Sequence, residues 1–389
     1  MARESQSATQ GHLIFVIPAL KTGGMEKQLV AVLEADVAVL QRRRVELLTF
    51  LPAPDDRLLR RLERIGVLVH MIDRSAMSFP SFFIRLVRFF RAQRPDIVHA
   101  LLAGSTGTWG RLAARLAGVR TIVFSDRTLF PPTTRIQRAL DPLVIRLTTR
   151  FVTNAQATFD RLHRQGVPGH KIRLVRNGVD LERYHPTVVP SLRATWGITT
   201  DKVVAGFLGV FRPTKRPELF LEAILALPQD ERPDFVVMAG DGVRMEAVRC
   251  RVESDPWLRS NCRLLGTVHD VPAFLRSLDF LVLTSDTEGL PNAILEAMAS
   301  GVPSVSTRIA DAPTLIDDDR FLAEPGDVAG LAAAIRRMMQ IGREERKRLG
   351  DALRARAETE FALATSAQRF WAVHDDLWPG PASSSTRRT

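Results

Sequence analysis

Apolar positions fall along this chain in two alternating modes. Short apolar runs bounded by Gly, Pro and polar residues give way to longer stretches in which apolar side chains recur every three or four positions. The first mode predicts buried strands and the second amphipathic helices. Strands are expected at residues 12–17, 45–50, 67–72, 96–100, 121–125, 151–154 and 171–176, and again at 204–210, 235–239, 263–266, 280–283 and 302–306, with helices between them. Leu29, Val30, Leu33 and Val37 stripe the helix after the first strand, and Ile294, Leu295, Met298 and Val302 stripe the one after residue 291. Strand–helix alternation of this kind predicts an α/β chain with two doubly wound parallel sheets, each covered by helices on both faces. Ligands of such sheets collect at the carboxyl ends of the strands.

The same pattern sets the expected organisation. Residues 1–10 are a polar tail. A first domain covers 11–187 and a second 188–360, divided where Pro186 and Pro190 lie close together. The chain beyond Asp327 reads as helices, and a last helix at 361–378 carries Phe370, Trp371 and Trp378. The Pro- and Ser-rich residues 379–389 form a second tail without order.

Composition narrows the class. A chain of 389 residues holds two full cores, and 45% hydrophobic with 25% charged residues is ordinary for a globular protein. Cys250 and Cys262 form no C-x-x-C pair, so neither a disulfide framework nor a zinc site is indicated. Residues 1–11 lack the apolar core of a signal peptide, and no run approaches the ~20 apolar residues of a membrane span. A cytoplasmic protein is the expectation. The net charge of +11 calls for an anionic partner or surface. A nucleic acid is not expected, because clustered aromatic–basic motifs are lacking and Tyr occurs once. The helix at 80–93 sets Phe82, Phe83, Leu86, Val87 and Phe90 on one stripe and Arg85, Arg88 and Arg91 on the other. It reads first as a core helix with a solvated basic face. A helix resting on anionic lipid is the alternative, supported by Arg135, Arg138, Arg146 and Arg150.

The candidate chemistry lies at strand ends. After the strand at 280–283 comes a polar turn holding Glu288, then Gly289, Leu290, Pro291 and Asn292 open a helix. The free N–H groups and dipole of a helix start suit a phosphate. Glu296 follows about 7.5 Å further along the axis, where a carboxylate can accept from two ribose hydroxyls. Two solvated glutamates at a helix start would show the same spacing. After the strand at 204–210, Arg212, Lys215 and Arg216 could neutralise a pyrophosphate without a metal. Gly23 and Gly24 make a strand-to-helix turn without the G-x-G-x-x-G fingerprint, so no dinucleotide site is read. His99, Asp126 and Arg127 fall at strand ends and are candidates for an acceptor pocket. Asp317, Asp318 and Asp319 read as a solvated turn rather than a metal site.

Glu288, seven residues and Glu296, within EGLPNAILEAMASGVP, resemble the E-x7-E signature of the retaining glycosyltransferase family 4, which has the GT-B fold. The likeness runs in order from about Leu13 to Leu377 and includes RLVRNGVDLERYHP and the turn Gly240-Asp241-Gly242. It implies two Rossmann-like domains facing across a cleft, a nucleotide-sugar donor (most simply UDP-linked) in the second, and a glycan or lipid-linked saccharide acceptor in the first. It also implies transfer with retention and no metal or other cofactor. Glu288, Lys215 and Arg212 would be catalytic. Gly24, Val268, Gly289, Leu290, Asn292 and Glu296 would bind the donor, and Gly23, Glu26, His99, Asp126 and Arg127 would face the acceptor. The chain departs from the family's pattern at Val210, where an Arg is usual and whose role Arg212 would take, and at Ala310 to Thr314. A cell-envelope or exopolysaccharide glycosyltransferase, peripheral on an anionic membrane, is the resulting expectation. A GT-B nucleotide-sugar epimerase and a basic nucleic-acid-binding protein are the rivals.

Overall fold

The computed structural model describes residues 11–378 apart from 22, 55, 103, 105, 128–133 and 188–190. Both expected tails lie outside the described residues. The described chain forms two compact units, one up to Arg176 and again from Ala364, the other from Asn177 to Leu363.

The first unit runs β1 (His12–Ile17), α1 (Gly24–Ala35), α2 (Val37–Arg42), β2 (Arg44–Thr49), α3 (Arg57–Arg64), β3 (Leu68–Met71), α4 (Phe79–Gln93), β4 (Ile97–Leu101), α5 (Arg111–Leu116), β5 (Thr121–Ser125), α6 (Arg135–Leu147), β6 (Arg150–Thr153), α7 (Gln156–Arg164) and β7 (Ile172–Leu174). Its sheet has the order β3-β2-β1-β4-β5-β6-β7, with every neighbour parallel. Both faces are covered, so β1 and β4 are buried along their whole length, as apolar runs rather than alternating ones require. Phe82, Leu86 and Phe90 of α4 point into this core, while Arg85, Arg88 and Arg91 are exposed. The core reading of that helix is the one the fold adopts.

The second unit runs β8 (Val204–Leu208), α8 (Pro217–Leu225), β9 (Phe235–Ala239), α9 (Met245–Ser254), α10 (Pro256–Asn261), β10 (Cys262–Leu264), α11 (Val271–Arg276), β11 (Phe280–Leu283), α12 (Asn292–Ala299), β12 (Ser304–Thr307), α13 (Ala312–Ile316), β13 (Leu322–Ala323), α14 (Val328–Gln340) and α15 (Gly342–Glu360). Its sheet is likewise parallel, in the order β10-β9-β8-β11-β12-β13. Asp270 caps α11 by accepting from the Ala273 N–H at 3.1 Å. The last helix, α16 (Leu363–Asp375), packs on the first unit, where Phe370 lies against Phe15 with ring centroids 5.9 Å apart.

The division between units falls at Arg176, not at residue 187. The reason is local pairing. Val179 forms a parallel bridge to Ala362, and Val179 and Tyr184 are buried in the second unit's core. The two prolines used to place the boundary follow this segment rather than precede it.

Candidate active site

In each sheet the strand order reverses direction once, between β1 and β4 and between β8 and β11. Such a switch point splays the outgoing loops apart and leaves a crevice beyond the carboxyl ends of the strands. In the second unit the loop leaving β8 carries Arg212, Lys215 and Arg216, and the loop leaving β11 carries Glu288.

These two loops are laced together. The Asp286 N–H donates to the Thr214 carbonyl at 2.9 Å, and Thr284 Oγ1 donates to the carbonyls of Lys215 and Arg216, each at 2.8 Å. Arg216 stands 3.6 Å from Asp286. The lacing brings Lys215 Nζ onto Glu288 Oε1, which also accepts from Ser285 Oγ at 2.8 Å. Both partners are mostly withdrawn from water, with side chains 17% and 12% exposed. Ser285 is held in turn, since Thr307 Oγ1 on β12 donates to its carbonyl at 2.6 Å. Sequence reasoning singled out neither Thr284 nor Ser285, although a Thr-Ser pair ending a buried strand is a signal of anchoring hydroxyls.

Arg212 is exposed, and no contact ties its guanidinium to Lys215 or Glu288. Val210 is exposed as well. The helix α12 begins at Asn292, and Pro291 before it is extended rather than helical. Leu290 is buried among core side chains and Gly289 is half-buried. Asn292 Oδ1 accepts from Asn177 Nδ2 at 2.6 Å. Glu296 is half-buried, and its charge, after burial itself, raises the pKa of the Tyr184 phenol nearby. Val268 packs on the core beyond β10, an edge strand separated from β8 by β9. In the acidic run, Asp318 pairs with Arg320 at 2.7 Å and Asp319 with Arg308 at 2.8 Å. Among the described residues no group of three His, Cys, Asp or Glu side chains is placed to hold a metal ion.

The first unit gathers a second set. Gly23 caps α1 in an extended conformation, and a Cβ there would lie 2.4 Å from Glu26 Oε2. Glycine thus leaves room for the carboxylate to fold back over the helix start. Burial raises the Glu26 pKa, against the pull of Lys21 and Arg127. Burial likewise lowers Arg127 to about 10, against the pull of Glu26. Asp126 is buried and pairs with Arg161 at 2.5 Å. Gly24 opens α1.

His99 is a correction. It is fully buried within β4 and faces α16, not an acceptor pocket. His374 Nδ1 lies 3.2 Å from the Phe370 carbonyl, which can only accept, so that nitrogen carries the proton. His374 Nε2 then accepts from His99 Nδ1 at 3.0 Å, and His99 Nε2 accepts from Ser125 Oγ at 2.8 Å. This chain of donors holds with both rings neutral, and burial pushes both pKa values down, that of His374 to about 4. An apolar run with one His in it was read as a strand end because the terminal helix that shields it is distant in sequence.

Comparison with known proteins agrees with this architecture. Residues 22–183 match the model of Glycosyltransferase Family 4, and residues 202–340 that of Glycosyl transferases group 1. The UDP-Gal:alpha-D-GlcNAc-diphosphoundecaprenol alpha-1,3-galactosyltransferase of Escherichia coli is 31% identical over 271 residues, covering 66% of this chain and 69% of that protein. The D-inositol 3-phosphate glycosyltransferase of Saccharomonospora viridis is 28% identical over 269 residues, 62% of this chain and 61% of its own length. Among solved structures, Anabaena HepE in complex with UDP superposes with a TM-score of 0.80 at 20% identity, over 94% of this chain and all of that one. The chain belongs to glycosyltransferase family 4, and it is a glycosyltransferase of the GT-B fold.

Proposed function

We propose that the second unit binds a UDP-sugar and that the enzyme transfers the sugar, with retention and without a metal, to a lipid-linked saccharide acceptor bound by the first unit. The observation that carries this reading is the pairing of Lys215 with Glu288 at the switch point of the second sheet, with Glu296 on the helix that follows. The ammonium of Lys215, with Arg212 beside it in sequence, balances the charge that grows on the leaving diphosphate. The start of α12 adds its dipole. Glu288 orients the transferred sugar and Glu296 accepts from the ribose. No carboxylate pair of the glycosidase kind is invoked, and the leaving phosphate takes the proton of the incoming hydroxyl. The Glu26–Arg127 set beyond β1 and β5 serves the acceptor. UDP and an undecaprenyl-diphosphate acceptor are named for the Escherichia coli relative, and UDP for the Anabaena structure; both support this choice of substrates for a polysaccharide-building enzyme.

The acceptor class favours work at a membrane surface. Among the described residues no helix is long and apolar enough to cross a membrane. Ile136 and Leu143 on α6 are nonetheless 65% and 47% exposed, with Arg135, Arg138 and Arg146 exposed around them. This face of α6, rather than the core-facing stripe of α4, suits anionic lipid.

The test is turnover of radiolabelled UDP-hexoses with undecaprenyl-diphosphate saccharides. Lys215→Ala and Glu288→Ala should each abolish transfer while circular dichroism stays native. Near-normal turnover by either folded variant overturns the assignment. Donor conversion without an acceptor would identify an epimerase instead.

A further inference from the structure

Two consecutive hydroxyls, Thr284 and Ser285, follow β11, and both residues are fully buried. They serve opposite members of the ion pair. Thr284 Oγ1 donates to the main-chain carbonyls of Lys215 and Arg216, each at 2.8 Å. Arg216 has a φ of 47°, in the left-handed region that a residue with a side chain seldom adopts. The Thr284 clamp therefore sits on a strained turn between Lys215 and α8. Ser285 Oγ donates to Glu288 Oε1 at 2.8 Å, the same oxygen that Lys215 Nζ contacts. Among the described residues Glu288 Oε2 has no hydrogen-bond partner. Ser285 is itself fixed, because buried Thr307 on β12 donates to its carbonyl at 2.6 Å. The two strands pair just before it, with Leu283 against Ser306.

We infer that Thr284 and Ser285 are positioning residues for transfer: Thr284 fixes the backbone that carries the Lys215 ammonium, and Ser285 fixes the Glu288 carboxylate with Oε2 left for the hydroxyls of the transferred sugar. The inference rests on the reading of Lys215 as the cation of the diphosphate and of Glu288 as the residue that orients the sugar. Lys215 alone would hold the carboxylate loosely. Its ammonium is a point charge on a flexible stem, with three N–H groups to share among its acceptors. A diphosphate beside it competes with Glu288 for that charge. A serine hydroxyl has one hydrogen, and here that hydrogen is committed to Oε1. Ser285 therefore keeps Glu288 in place while Lys215 turns to the phosphate. An orientation set before the reaction needs no reorganisation during it. Neither hydroxyl touches substrate in this scheme. They act through Lys215 and Glu288, and their effects separate, since one sets the cation and the other the contact to the sugar.

The experiment measures binding of UDP and of the UDP-hexose that supports turnover, by calorimetry, to the full chain and to Ser285→Ala, Thr284→Val, Lys215→Ala, Glu288→Ala and the Ser285→Ala/Glu288→Ala double variant. Transfer kinetics and melting temperatures are recorded alongside. Ser285→Ala should bind UDP within about twofold of the native chain. Loss of a hydrogen bond to a charged group should shift its affinity for UDP-hexose, relative to UDP, about tenfold against the hexose, and kcat should fall about tenfold. The double variant should bind UDP-hexose as Glu288→Ala does. Thr284→Val keeps the shape of the side chain and should give the opposite pattern. It should weaken UDP itself about tenfold, toward the value for Lys215→Ala, and leave the difference between UDP and UDP-hexose intact. Should Thr284→Val fold poorly, Ser285→Ala decides alone, since it removes one atom and leaves Oε1 paired with Lys215. A Ser285→Ala variant that weakens UDP and UDP-hexose alike, or neither, overturns the inference and spares the donor reading. So does native UDP affinity in folded Thr284→Val. Native UDP affinity in Lys215→Ala, or an unchanged difference between UDP and UDP-hexose in Glu288→Ala, overturns the donor reading itself.

Discussion

Lys215 and Glu288 are 73 residues apart in sequence, yet they meet with little water around them. Removing one charge from such a pair strands the other, so single substitutions cost more than the pair contributes. Lys215→Met and Glu288→Gln should each lower stability by about 1–3 kcal/mol in urea denaturation. The double variant should lose clearly less than the sum of the two. Additive losses would mean that the two side chains do not interact in solution. These two residues were legible because each sits in a run of distinctive spacing just beyond an apolar strand. Ser285 and Thr284 were not. Their roles come from loops meeting across a switch point, which leaves no periodic mark. Arg212 shows the converse: its charge and position were legible, but the fold leaves its side chain exposed and joins it to Lys215 only through the backbone, its carbonyl accepting from the Lys215 N–H at 2.9 Å.

Elements were the most legible scale, since a strand buried on both faces writes itself as an apolar run. β1, β5, β9 and β11 have the expected bounds. The other expected strands differ by one or two residues at their ends, where sheet pairing rather than apolarity decides, and the two-residue β13 was not anticipated. The turn after β9 shows how one loop supports another. Gly240 and Gly242 both have φ of 149°, and a Cβ on Gly240 would lie 1.8 Å from the Gly209 carbonyl oxygen. The same turn accepts from the Phe211 N–H through Asp241 at 2.9 Å, just before Arg212 and Lys215. Gly240→Ala should cost about 3 kcal/mol of stability and displace the cationic loop, lowering turnover of the fraction that stays folded. Native stability with native turnover would show that the turn does not press on that loop. The second element of note is α6, whose exposed Ile136 and Leu143 lie among arginines. Vesicles with anionic headgroups should retain the protein at low salt and release it as salt rises, whereas neutral vesicles should not retain it. Ile136→Glu with Leu143→Glu should abolish retention without changing the melting temperature appreciably. Equal recovery on neutral and anionic vesicles would remove the membrane from the picture.

At the scale of the molecule, two parallel sheets were legible in the alternation of runs, and the point of division was not. Pro186 lies in a turn, whereas the division at Arg176 is set by Val179 pairing with Ala362, a contact that no local pattern announces. The helix α16 is the chain's most distant addition to the first unit, and its attachment is chemically unusual for a core. His99 and His374 are both fully buried and share a hydrogen bond. Each is held neutral, His374 titrating near about 4. His12 is shifted in the same direction, chiefly by burial. In the unfolded chain these rings take up protons near pH 6.5. Below that pH the unfolded state binds more protons than the folded one, so stability falls as pH falls. The loss should run at roughly 1.4 kcal/mol per pH unit for each ring held neutral, and end near the folded pKa. Carboxylates act in a lower window. Glu46 is held below its usual range, its hydrogen bonds and charge partners outweighing burial, so its contribution is lost only as pH drops through the carboxylate range. Urea denaturation at pH 7, 6 and 5 separates the two. The chain should weaken steadily across that series, before the carboxylates titrate. His374→Gln, which keeps a polar side chain beside His99 but cannot titrate, should start less stable and then lose less between pH 7 and 5. A slope unchanged in that variant would place the acid sensitivity elsewhere than beneath the last helix.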